Sequence, residues 1–195
     1  MYIIPYLLIF VKFNTIYTHL FVRKNIYDII KKGDRIMRKE ELNVIFLDFD
    51  GVINIIEDDF SGTFENPDAI KYLNKLCLET GFKIVVCSSW RDHMHYKKFL
   101  YDSGLNKRIE ILGKTDNCGR GKIFEIMKYI EENHVNKYLI IDDAFFGERY
   151  VPYHVQTAPS MGFNENKYEE ALKKIEAMPS CNPLDHLFKN HKDDD

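Results

Sequence analysis

Short, continuously apolar runs alternate along this chain with longer segments whose apolar residues recur every three or four positions. The clearest runs are Val44 to Leu47, Phe82 to Cys87 and Tyr138 to Ile141. Runs of this length and character predict strands that are buried on both faces of a parallel sheet.

The segments between these runs have the spacing of amphipathic helices. Asn66 and Pro67 open one such segment and Gly81 closes it, which is typical of a helix with an asparagine cap and a proline in its first turn. Alternating strands and helices predict right-handed βαβ units, and so an α/β fold: a three-layer sandwich around a mainly parallel, Rossmann-like sheet. The other predicted elements are a helix near Met94 to Tyr101, a short strand at Ile109 to Leu112, a helix at Ile123 to Glu132, a strand at Val155 to Thr157 and a helix at Tyr168 to Met178.

Composition narrows the class of protein. The chain has 195 residues, is 45% hydrophobic and carries a net charge of −3, which suits one core and gives no basis for bulk nucleic-acid binding. A basic group, Lys97, Lys98, Lys107 and Arg108, is either a local patch or a solvated helix face. The four cysteines lack metal-binding spacing, which predicts reduced thiols and a cytoplasmic location.

The two ends of the chain differ from its middle. Residues 1–36 hold an apolar segment, Ile3 to Val11, that is too short to span a membrane and lacks the flanks of a secretory signal. We expect residues 1–36 to be either an added arm or upstream sequence ahead of a start at Met37. The main domain is predicted at 37–178 and a polar tail at 179–195.

The run Val44 to Leu47 ends abruptly in two acids and a glycine, Asp48, Asp50 and Gly51. Residues two apart on an extended chain project to the same side, so the carboxylates would repel each other unless a cation lay between them. An all-oxygen site of this kind suits Mg²⁺. A calcium loop of the EF-hand type is a poor match, because Ile53, Ile55 and Ile56 occupy the region where further ligands are needed.

Polar side chains follow two other predicted strands in the same way. Ser88 and Ser89 come after the second strand, and Asp142 and Asp143 come after the strand at Tyr138 to Ile141. Because the carboxyl ends of parallel strands meet at one edge of the sheet, we expect all these groups to converge.

The string Asp48-Phe49-Asp50-Gly51-Val52 resembles the first motif of the haloacid dehalogenase (HAD) superfamily, most of whose members are Mg²⁺-dependent phosphohydrolases. The order and spacing of polar groups resemble the four HAD motifs across about residues 44–165. Val52 stands where many members have threonine, which is a common variant. The string Ser88-Ser89-Trp90-Arg91, with Gln156-Thr157 and Gly162, is similar to a bacterial branch associated with RNA-repair proteins.

The resemblance implies a role for each matching residue. It implies Asp48 as the nucleophile of an aspartyl-phosphate mechanism, Asp50 as the general acid/base, Ser88 as a hydrogen-bond donor to the phosphoryl group, and Lys122 as the third-motif lysine, with Arg120 left open for that place. The implied Mg²⁺ ligands are Asp48, Asp50, Asp142 and Asp143, with Asp143 favoured over Asp142 for direct contact. Substrate contacts are expected from Gly51, Ser89, Arg91 and Arg120.

The spacing between the motifs bears on the substrate. About 38 residues separate Asp50 from Ser88 and about 34 separate Ser88 from Lys122, lengths that one crossover each already uses, so no sizeable cap domain is expected. Capless relatives have an open site and tend to act on macromolecular phosphates. We therefore expect a phosphorylated substrate, either a polynucleotide end or a nucleotide, with Trp90 either stacking on a base or lining the core.

Other functions remain open at this stage. One is a small-molecule phosphatase. Another is a catalytically weak domain that binds a phosphorylated ligand and serves in protein interaction. A third is a phosphotransferase for nucleic-acid ends within a larger repair assembly. The oligomeric state is not predicted.

Overall fold

The computed structural model describes residues 41–56, 63–93 and 95–179. The predicted extension 1–36 and residues 180–195 of the predicted tail lie outside the described residues, so these domain boundaries remain predictions. Five strands form one sheet in the order β5-β4-β1-β6-β7, and every neighbouring pair in it is parallel. These strands are β1 (Asn43–Leu47), β4 (Lys83–Val86), β5 (Ile111–Lys114), β6 (Lys137–Asp142) and β7 (His154–Gln156), and β2 (Asn54–Ile56) with β3 (Thr63–Glu65) form a separate antiparallel pair.

The described residues contain four helices, of which the first three connect strands and the last follows β7: α1 (Pro67–Thr80), α2 (Tyr96–Asp102), α3 (Lys122–Asn133) and α4 (Glu165–Ala177). Helix α1 begins and ends as the sequence predicts. The Asn66 side chain accepts a hydrogen bond from the Ala69 amide at 3.3 Å. At the other end Gly81 adopts a φ of 72° and its amide binds the Cys77 carbonyl, a left-handed C-terminal cap.

The sheet separates two apolar clusters. One contains Ile45 and Leu47 of β1 with residues of α1 and α4, whereas the other contains Val44 and Phe46 of β1 with residues of α3. Alternate residues of β1 therefore pack on opposite faces of the sheet, as the pleat of a strand requires. The predicted three-layer α/β sandwich is confirmed.

Some short elements were not predicted. They are the antiparallel β2–β3 pair and two 3₁₀ segments at Ser89–Asp92 and Glu148–Tyr153. Elements of three to six residues are too short to show a clear period in the sequence. No cap domain is evident in the described residues, and none of their helices has the length and apolar character needed to cross a bilayer.

Candidate active site

The candidate site is built on the two strands at the centre of the sheet. In the parallel pairing of β1 with β6, Leu47 lies opposite Ile141, and the Asp48 amide donates to the Ile141 carbonyl at 3.1 Å. The next residue of each chain segment is an aspartate, Asp48 and Asp142, so the register sets the two acids side by side. Both are buried, Asp48 with 6% of its surface exposed and Asp142 with none.

Lys122, the first residue of α3, joins these two acids. Its Nζ lies 2.7 Å from Asp48 Oδ2 and 2.7 Å from Asp142 Oδ2. The second oxygen of Asp142, Oδ1, accepts from the Ala144 amide at 2.9 Å. Asp142 is therefore fully committed to holding Lys122 and the turn after β6, while Asp48 keeps one carboxylate oxygen outside these contacts.

Asp143 completes a group of three carboxylates. Oxygen atoms of Asp48, Asp142 and Asp143 all lie within 4.8 Å of one another. The Asp143 side chain occupies space that is free only because residue 51 is a glycine. A Cβ built on Gly51 would lie 2.6 Å from Asp143 Oδ2. Any side chain at position 51 would occupy the space of that carboxylate, and the φ of 69° at Gly51 also favours glycine.

The crowding of acids shifts their proton affinities. Burial, together with the negative charge of Asp48, raises the pKa of Asp142 to about 6, although Lys122 opposes the shift. The pKa of Asp143 is raised by the same two causes. Burial alone would lower the pKa of Lys122, but the charges of Asp48 and Asp142 outweigh it and raise that pKa overall. One lysine thus does not compensate the charge of three carboxylates.

This donor set fits a magnesium ion. The group offers oxygen atoms alone, which Mg²⁺ prefers, and the pKa values of Asp142 and Asp143 are raised by burial and by the negative charge of Asp48, both of which a bound cation would offset. Asp143 is only partly buried, so it can present an oxygen to an ion from the open side. The acidic group of Asp48, Asp142 and Asp143 could therefore bind a metal.

Asp50 is not one of the three clustered carboxylates, and its predicted role as a metal ligand stays a prediction. Its side chain is outside the three-carboxylate set, and its Oδ1 is 3.5 Å from Asn54 Nδ2. The chain turns sharply here, since the amides of Val52, Ile53 and Asn54 all donate to the Phe49 carbonyl. Asp50 is half-buried at this turn, and its negative charge contributes to the raised pKa of Asp143.

Ser88 and its neighbours follow the adjacent strand β4. The Cys87 amide donates to the Leu47 carbonyl, so Ser88 comes one residue beyond the sheet on the side of Asp48. Its Oγ accepts from the Trp90 amide at 3.3 Å, a bond that does not use the hydroxyl proton. Ser89 is exposed. Trp90 packs against Phe49 and Phe99, which favours the core-lining interpretation over base stacking.

The structure places the Arg91 side chain inside the protein. The sequence suggests a substrate contact, but the side chain is only 6% exposed and each guanidinium nitrogen donates to the protein. Four of the five guanidinium N–H groups therefore donate to acceptors within the protein, which disfavours a direct contact with a phosphate, and the predicted substrate contact stays a prediction. Arg120 is exposed and lies over the Phe124 ring, 3.8 Å from its centroid, so the contacts with the acids belong to Lys122.

Sequence reasoning missed several residues that shape the site. Glu125 binds Arg91 inside the protein at 2.7 Å. Thr157 Oγ1 donates to the Gly51 carbonyl at 2.6 Å and so holds the turn after β1. Phe145, two residues after Asp143, is 59% exposed. An acid in the first turn of a helix or a lone aromatic in a loop carries no distinguishing sequence pattern, and the exposure of Phe145 is visible only in the structure.

The fold and the site together define a class of protein. It is an α/β domain in which carboxylates and a lysine converge at the carboxyl edge of the sheet. The family model for the HAD domain in Swiss Army Knife RNA repair proteins matches residues 44–168. The chain belongs to this family, and so to a superfamily of phosphatase-like hydrolases.

Two further comparisons add little. A search of curated proteins found no match. Among solved structures, the chain is similar to a hypothetical protein from Xanthomonas campestris, with 11% identity and a TM-score of 0.42 over 78% of this chain and 88% of that chain. A similarity of this size carries no information about function.

Proposed function

We propose that the protein is a Mg²⁺-dependent phosphohydrolase that removes phosphate from a monoester through an aspartyl-phosphate on Asp48. The observation that supports this most is the position of Lys122, whose ammonium binds Asp48 and Asp142 at 2.7 Å each. A pure binding site for a phosphate would gain nothing from a buried carboxylate held against its cation.

In the first step, the Asp48 oxygen that Lys122 does not hold attacks phosphorus, and the bond from phosphorus to the leaving alcohol breaks. Lys122 and the Ser88 hydroxyl offset or hydrogen-bond the phosphoryl oxygens, which would otherwise repel an anionic nucleophile. Mg²⁺ bound by Asp48 and Asp143 would supply further positive charge to the same oxygens. The lysine is prepositioned, since its two ion pairs exist before any substrate binds.

Asp50 is the proposed proton carrier. In its protonated form it gives a proton to the departing alcohol oxygen, and it then takes one from the water that attacks the aspartyl-phosphate, releasing inorganic phosphate and Asp48. Asp50 is not one of the three clustered carboxylates, and this supports the division of labour, because a carboxylate bound to a metal cannot also transfer a proton.

We further propose a polynucleotide end or a nucleotide as the substrate. The family of RNA-repair HAD domains and the absence of a cap in the described residues support a substrate with a large leaving group. Phe145, exposed two residues after Asp143, is suited to stack on the terminal base, and exposed Arg120 precedes Lys122 by two residues. The described cysteines, Cys77, Cys87 and Cys118, are free thiols, which supports a cytoplasmic site of action.

The test is phosphate release from 3′- and 5′-phosphorylated oligonucleotides, mononucleotides, phosphopeptides and p-nitrophenyl phosphate, with Mg²⁺ and with EDTA. We expect Mg²⁺-dependent turnover that Asp48→Asn abolishes, with an oligonucleotide end as the best substrate. Acid quench during turnover should trap a phosphoryl group on the wild type and none on Asp48→Asn.

Asp102→Asn is the matched control, because Asp102 is an exposed aspartate that pairs with Lys98 on the surface of α2. It should keep wild-type turnover. Substantial activity in Asp48→Asn would remove Asp48 from the nucleophile role. A folded wild type that binds Mg²⁺ and phosphorylated ligands but hydrolyses none of them would indicate the interaction-domain alternative.

A further inference from the structure

Arg91 connects three separate pieces of chain beneath the candidate site. Its Nη1 donates to the carbonyls of Cys87 at 3.1 Å and Ser88 at 2.8 Å, and its Nε donates to the Thr115 carbonyl at 3.1 Å. Cys87 and Ser88 follow β4, and Thr115 follows β5. One side chain thus fixes the backbone that carries the Ser88 hydroxyl to the neighbouring strand end.

Glu125 extends this connection to α3. Its Oε2 accepts from Arg91 Nη2 at 2.7 Å, and its Oε1 accepts from the Cys118 amide at 3.1 Å. Glu125 comes three residues after Lys122 in the first turn of the helix, so the two side chains share one side of that turn. The pair Arg91–Glu125 therefore holds the helix start that presents Lys122 and also the loop that leads into it.

Stability alone does not account for a buried pair of this kind. Both side chains are about nine-tenths or more buried. The free energy needed to remove two charges from water is about as large as the free energy gained from their attraction. An apolar pair in the same place therefore often stabilises a protein core equally well. What a guanidinium adds is direction: its planar fork binds several acceptors at fixed angles. Here those acceptors belong to the segments that carry Ser88 and Lys122.

We propose that Arg91 and Glu125 are positioning residues that set the Ser88 hydroxyl and the Lys122 ammonium in register around the transferring phosphoryl group. The proposal rests on the phosphohydrolase function proposed above. The hydrogen bonds of the two side chains go to the segments around Ser88, Thr115 and Cys118 rather than to the three carboxylates, so their effect on catalysis passes through the two groups they hold. The proposal adds no chemical step to the phosphohydrolase mechanism. The bond to phosphorus still forms at Asp48, and the same alcohol leaves.

The test is a double-mutant cycle of Arg91→Lys with Lys122→Ala. Arg91→Lys keeps the positive charge and loses the fork, and we expect its kcat to fall about 10- to 100-fold with KM changed by less than about threefold. In the Lys122→Ala background the same change should cost a smaller factor than in the wild type, because one of the two groups it positions is already gone while Ser88 remains. The same cycle is measured on the dissociation constant of inorganic phosphate with Mg²⁺ present.

Glu110→Gln is the matched control, since Glu110 pairs with Lys83 at the opposite end of β4. It should leave kcat unchanged. Equal losses from Arg91→Lys in both backgrounds, or wild-type kcat in a stably folded Arg91→Lys, would overturn the positioning role while leaving the phosphohydrolase standing. If the wild type has no turnover, the phosphate-binding cycle decides the positioning role by itself. A wild type that neither turns over nor binds phosphate overturns both proposals.

Discussion

Gly51→Ala is the sharpest test of how the candidate site is built. The φ of Gly51 is 69°, where an L-residue costs about 1–2 kcal/mol more than glycine. The new Cβ would also lie 2.6 Å from Oδ2 and 2.8 Å from Cβ of Asp143, so one of the two side chains has to move. Overpacking of this kind adds about 1–3 kcal/mol. The total expected loss of unfolding free energy is therefore about 2–5 kcal/mol.

Gly81→Ala separates the two contributions. Gly81 has nearly the same φ, 72°, but no neighbouring atom lies within 4 Å of the place where its Cβ would stand, so alanine there carries the conformational cost alone. Denaturant unfolding in EDTA should show a loss of about 1–2 kcal/mol for Gly81→Ala and a larger one for Gly51→Ala. Calorimetry should show Mg²⁺ affinity about 10–100-fold weaker in Gly51→Ala, because Asp143 is displaced, and unchanged in Gly81→Ala.

The reasoning is refuted by a Gly51→Ala protein that loses no more stability than Gly81→Ala and binds Mg²⁺ as tightly as the wild type. That result would mean that Asp143 moves aside at no cost, and that its carboxylate does not hold the metal.

Three further predictions address the site. The raised pKa of Asp142, about 6, means that the negative charge of this neighbour of Asp48 and Asp143 is lost as the pH falls through that value, which weakens the attraction for a cation. The rise in melting temperature on adding Mg²⁺ should therefore be larger at pH 7.5 than at pH 5; an equal rise would contradict it. Thr157→Val removes the 2.6 Å bond to the buried Gly51 carbonyl and should lower the unfolding free energy by about 1–3 kcal/mol in denaturant melts, whereas no loss would remove Thr157 from its turn-holding role. Phe145→Ala should raise KM about 5–100-fold for a phosphorylated oligonucleotide end but not for the same substrate without its terminal base. Leu78→Ala, at another exposed position, serves as the control. Equal effects on the substrates with and without the terminal base would exclude stacking.

Local patterns predicted most of the fold. Continuous apolar runs located the central strands, and the Asn66 cap with Gly81 located the ends of α1, because each signal lies within a few residues of the structure it specifies. The convergence of Asp48 with Asp142 followed from one topological rule about parallel strands. The sheet could therefore be inferred without knowing any tertiary contact.

The roles of individual side chains were less predictable. Arg91 is buried because its partners Thr115 and Glu125 meet it from positions 24 and 34 residues away, and no local pattern records such distant pairing. The same holds for Asp50, whose carboxylate direction depends on the tight turn around the Phe49 carbonyl. The choice of Lys122 over Arg120 likewise required the start of α3 to be placed against β1 and β6.

The pairing of β1 with β6 has a consequence for how the protein acquires activity as it folds. Asp48 and Asp142 are 94 positions apart in the chain, and only the alignment of their two strands brings them together. Contacts of such long sequence separation form late and slowly, since a large loop must close before they are gained. A nascent chain that has not yet exposed β6 outside the ribosome has no lysine-bridged acid pair. The candidate site therefore exists only in the nearly complete domain, and heat or denaturant that separates these two strands should abolish activity and folded structure in one transition.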